Sequence, residues 1–81
     1  MELRYAHPNM VENSLPLEAN QRCENVLDYQ IVCPKGAIVR KGSFTGQSVY
    51  ISTRLLPKGE RFRIRIMDKV RLVHDGVFET I

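Results

Sequence analysis

Eighty-one residues, 43% apolar and 26% charged, make one domain and leave no room for a second core. The net charge is +3, tryptophan is absent, and no apolar run approaches the roughly 20 residues of a membrane span. A chain of this size buries roughly 60–65% of its unfolded surface, so modest stability is expected.

The opening Met-Glu-Leu-Arg-Tyr-Ala-His-Pro has no apolar h-region of a signal peptide, and a cytoplasmic protein is expected. Residues 1–28 hold five acids and two bases, net −3; residues 29–81 hold ten bases and four acids, net +6. Eight of the twelve bases are arginine. That basic, Arg-rich part suits either nucleic acid or an acidic protein surface, without the dense clusters that make nucleic acid the default.

In residues 1–14, Leu3 and Tyr5 alternate with Glu2 and Arg4 before His7-Pro8-Asn9 breaks the pattern. The segment reads either as a flexible arm or as an edge strand. Residues 15–27 give the one helical expectation. Leu15, Ala19, Cys23, Val26 and Leu27 recur at three- and four-residue steps, Asn13 or Ser14 offers a cap, and Pro16 falls in the first turn.

From Val26 the pattern is that of strands. Residues 26–33 and 37–41 flank the turn Pro34-Lys35-Gly36, and Gly42 and Gly46 bracket Ser43-Phe44-Thr45 as a bulge or mobile loop in which Phe44 is exposed. Val49, Ile51 and Thr53 alternate with Tyr50, Ser52 and Arg54; Phe62, Ile64 and Ile66 alternate with Arg61, Arg63 and Arg65. Pro57-Lys58-Gly59 between these runs predicts a β-hairpin, half buried and half wet. Asp68-Lys69 is a tight connection to residues 70–74, and Asp75-Gly76 predicts one more two-residue turn before residues 77–81.

The expected architecture is mainly β: five or six short strands in an antiparallel meander, with one short helix on the open face. A curled sheet and a small SH3-like or OB-like barrel are equally open. The unpaired edges of so small a sheet also leave a homodimer through an edge strand open.

The hairpin carries the functional expectation. Its parity places Tyr50 and Arg54 beside Arg61, Arg63 and Arg65, with Arg54 across from Arg61 or Arg63. Residues two apart on a strand project roughly 6.6 Å apart, so the guanidinium groups form a compact row. Either Asp28, Glu60 or Glu79 neutralises this row from neighbouring segments, or it is an anion-binding face. With Arg40, Lys41 and Lys58 nearby, the candidate binding set is Arg54, Arg61, Arg63, Arg65, Tyr50, Arg40, Lys41 and Lys58.

Catalysis is not expected. The chain has no Gly-x-Ser-x-Gly, no phosphate-cradling glycine loop before a helix and no His-Glu-x-x-His. Cys23, Cys33, His7 and His74 have the spacing of no zinc module, so neither metal nor cofactor is expected. The two cysteines, ten residues apart, are read as free thiols. The expected function is a small non-catalytic protein-binding module; the alternative is a small β-barrel that contacts a nucleic-acid backbone, with Tyr50 as its thin stacking platform.

Residues 52–66, with Ser43-Phe44 upstream, locally resemble the strand pair of neuralized-type β-sandwich repeats. The resemblance covers about a fifth of the chain. That family's domain is longer, and its downstream tryptophan has no counterpart here, so no family is assigned.

Overall fold

A computed structural model describes residues 2–45 and 48–81. The strands are β1 (Tyr5–Ala6), β2 (Met10–Val11), β3 (Ser14–Ala19), β4 (Leu27–Val32), β5 (Ile38–Phe44), β6 (Ser48–Ser52), β7 (Arg61–Asp68) and β8 (Arg71–Thr80). They form two sheets. One is three-stranded, ordered β1-β3-β6; the other is five-stranded, ordered β2-β8-β7-β4-β5, in which β2 runs parallel to β8. Among the described residues there is no helix, so none long and apolar enough to cross a membrane.

Both sheets bury one face in a single core, which is the arrangement of a two-layer β-sandwich rather than a closed barrel. Leu15, Leu17 and Ile51 come from the smaller sheet. Leu27, Tyr29 and Ile31 of β4, Phe62, Ile64 and Ile66 of β7, and Phe78 of β8 come from the larger. Phe62 and Phe78 are register partners and stack with ring centroids 5.8 Å apart. Such a pair adds to the burial of two large side chains.

The helix expected over 15–27 does not form. Leu15 and Ala19 fit a helical stripe and a strand alternation equally well; Leu17 decides between them. It is 1% exposed, whereas Val26, which the helical stripe needs inside, is 62% exposed. Pro16 is compatible with β3 because of which way its nitrogen points. Thr53 N donates to Asn13 O at 2.9 Å, so residue pairs alternate outward from a bonded Asn13–Thr53 pair. Pro16 and Tyr50 are then a non-bonded pair, and Pro16 directs its missing N–H away from β6. On that side β1 reaches only Glu18 and Ala19.

The expected hairpin between residues 49–53 and 61–66 does not form either. Each run is a strand with the expected parity, but β6 and β7 belong to different sheets. Strand β7 is already paired on both edges, by β4 and β8. The connection, residues 53–60, therefore crosses between layers, with Gly59 at φ 75° making the turn. It is tied to the end of β8: Thr80 Oγ1 donates to Pro57 O at 2.6 Å, and Gly59 N donates to Thr80 O at 2.8 Å.

Three further turn expectations separate here. Pro34-Lys35-Gly36 does join β4 to β5, with Gly36 at φ 89°, and Lys69 at φ 58° joins β7 to β8. Asp75-Gly76 is no turn; it lies inside β8, opposite Arg65 and Ile64. Phe44 ends β5 and is buried, not exposed. Gly46, expected to close the loop around residues 43–45, lies outside the described residues.

Candidate binding face

Strict alternation in β7 sends Phe62, Ile64 and Ile66 into the core and Arg61, Arg63 and Arg65 to the outer face of the five-stranded sheet. Because β7 is central, Arg63 and Arg65 have neighbours on both sides, and Arg61 has one, on β8. Arg61 faces Glu79; Arg63 lies between Val32 and Val77; Arg65 lies between Gln30 and Asp75.

These neighbours neutralise part of the row. Arg61 donates to Glu79 Oε1 from Nη2 at 2.9 Å and from Nε at 3.3 Å. Arg63 Nε lies 3.5 Å from Asp75 Oδ1, a diagonal contact that takes Asp75 from its register partner Arg65. Both pairs are wet, so each contributes only ~0.2–1 kcal/mol. Arg65 has no ion pair among the described residues, and its Nε is buried without a hydrogen-bond partner. Of the counter-charges expected from sequence, Glu79 plays the part. Asp28 instead accepts from Ser43 Oγ at 2.8 Å.

Apolar groups line the same row. Val77 and Ile38 are exposed and Val32 is half-buried, and the three lie in one line with Arg63 across β8, β7, β4 and β5. Met10, beyond Glu79 at the edge, is 56% exposed. Against the turn after β4 the surface dips into a depression of about 410 Å³, lined by Val32, Cys33, Pro34, Arg63, Arg65 and Val77 among others. The face thus combines cations, two acids and an apolar strip.

The remaining candidates are dispersed. Lys41 does join the face, one strand beyond Gln30 in line with Arg65. Arg40 falls on the inward register of β5, opposite Ile31, with its Nε buried and unpartnered. Tyr50 is 75% exposed on the outer side of the other sheet, opposite Pro16, and Arg54 follows β6 in the crossing loop. Lys58 Nζ donates to the carbonyl of Glu12, a structural tie. The expected juxtaposition of Tyr50 and Arg54 with the arginine row is therefore corrected: β6 went to the other layer and took both residues with it.

Val32, Ile38, Val77 and Asp75 belong to this face and were not among the candidates. The period-2 pattern of residues 71–80 carries the signal for Val77 and Asp75, once Gly76 is read as a strand residue. Among the described residues no three His, Cys, Asp or Glu side chains gather, and Cys23 and Cys33 are free. No protein family matches the chain, and neither a curated protein nor a solved structure does.

Proposed function

We propose that the protein is a small non-catalytic binding module whose working surface is the outer face of the five-stranded sheet, centred on Arg63 and Arg65. Its partner is a protein segment that brings acidic and apolar side chains together. The carrying observation is the line Val77–Arg63–Val32–Ile38 beside the unpaired Arg65, which offers apolar contact and charge-assisted hydrogen bonds within one strand spacing. Glu79 and Asp75 lower the net charge of the row, which favours a mixed protein surface over a phosphate backbone. The nucleic-acid reading also loses its stacking residue, because Tyr50 projects from the opposite layer.

The test uses a fluorescent Glu/Leu-alternating peptide, and a mixed-sequence single strand and duplex, each at two salt concentrations. Saturable peptide binding is expected, weakened at least about tenfold by Arg63→Glu with Arg65→Glu while thermal unfolding is retained. Peptide binding that survives the double reversal sinks the proposal. Nucleic-acid binding that weakens steeply with salt and is lost in the same variant transfers the face to the alternative reading.

A further inference from the structure

His7 and His74 meet at a place the binding face does not use. His74 lies on the inward register of β8, opposite apolar Ile66, and His7 follows β1. Their rings are perpendicular with centroids 5.1 Å apart, and Tyr5 of β1 adds an edge-on contact to His74 at 6.4 Å. The space exists because residue 76 is glycine. A Cβ there would lie 2.5 Å from His7 Nε2 and 2.8 Å from His74 Nε2, far inside van der Waals contact.

The protons can be placed. His7 Nδ1 lies 2.9 Å from Pro8 O, and a carbonyl only accepts, so that nitrogen carries hydrogen. A neutral His7 then turns an Nε2 lone pair toward Gly76. His74 Nε2 is buried with no partner. A second proton on the His74 ring creates a cation whose Nε2 is away from water, and a second proton on His7 sets two cations side by side. Among the described residues, the acid that acts on His74 is Asp75, on the opposite face of β8 and already in contact with Arg63.

The pair also sits where two layers are joined. Strand β1 belongs to the three-stranded sheet and β2 to the five-stranded one, so residues 5–11 strap one layer to the other. The strap is held to β8 by Glu79 N donating to Asn9 O at 2.7 Å and Ile81 N donating to Val11 O at 2.9 Å.

We infer that His7 and His74 form a proton-operated latch, closed when neutral, whose protonation releases the strap of residues 5–11 from β8. The direction of His74's titration agrees: its pKa lies below the usual histidine value, through burial first and His7 second, with Asp75 opposing. The folded ring therefore takes up its proton later than the unfolded ring. The latch is fully closed above the unfolded value of about 6.5 and weakens as pH falls from there through the lowered folded value. The inference stands independently of the proposed binding face.

The test is an NMR titration of the full chain in EDTA-containing buffer between about pH 8 and pH 5. Ring-proton shifts of His74 and amide protection at Glu79 and Ile81 are followed, with the β7 amides as a control for global unfolding. His74 is expected to titrate below the ordinary range, with strap protection falling about tenfold for each unit of lowering while the β7 amides remain much better protected than the strap. His7→Ala should raise the His74 midpoint. His74→Gln, or His74→Phe should Gln disturb the fold, should make strap protection independent of pH. Protection that stays flat through the His74 titration, or that falls equally in both His74 variants, overturns the latch.

Discussion

At the scale of single residues, several positions are defined by what touches them. Gly42 lies on the inward register of β5, and a Cβ there would approach the Tyr29 ring to between 2.7 and 2.9 Å. Tyr29 is buried and has little freedom to move, so Gly42→Ala should cost about 1–3 kcal/mol in urea unfolding, the usual cost of overpacking. Thr80 has a different role. Its hydroxyl donates to Pro57 O, accepts from Glu60 N at 3.2 Å, and sits in a fully buried residue. Thr80→Val keeps the shape and orphans both partners, which predicts a loss of about 1–3 kcal/mol. An Arg61→Gln change breaks a wet pair and should stay within ~1 kcal/mol, so the three variants rank packing and buried polar contacts above surface charge.

At the scale of elements, β3 is the segment where two periodicities competed. Leu15 and Ala19 satisfy both, and local propensity did not decide; the three-stranded layer needed an inner face toward the shared core. The strand assignment is checked by comparing Leu17→Ala with Val26→Ala. The first should cost about 2–5 kcal/mol and the second within ~0.5, whereas a helical stripe would reverse them. Strand β5 shows another element-level device. It is one edge of the five-stranded sheet, yet Val39 forms a bulge between Ile38 and Arg40, and Lys41 follows. A bulge and cations are standard protections of an exposed edge. Light scattering should therefore give a monomeric mass, and Arg40→Thr with Lys41→Thr should increase association. A stable native dimer would refute this reading of the edge.

At the scale of the whole molecule, two thin layers share one core, and a chain this small has only a few kcal/mol of net stability. Stability should decline on acidification from about pH 6.5, where His74 begins to bind protons more readily unfolded than folded, and a urea midpoint measured against pH checks this. The lowered His74 opposes folding only in its charged form, so the curve should flatten in His74→Gln.

The mainly β character, the inward set Phe62, Ile64 and Ile66, and the turns at Gly36 and Lys69 were legible in the chain itself. A period of two and a short turn are local properties, set by neighbouring residues along the backbone. Which sheet each strand joins is not local. The parity of residues 49–53 and 61–66 was correct, and the two runs still separated, because β7 is paired on both edges by β4 and β8 and residues 53–60 are long enough to cross layers. Asp75-Gly76 has the composition of a turn, but its glycine makes room for His74 of the same strand and for His7, brought there by the N-terminal strap. The sequence by itself determined the alternation that makes half of each strand apolar; only the tertiary structure decided which polar halves share a face, because that choice depends on pairing and packing between segments far apart in the chain.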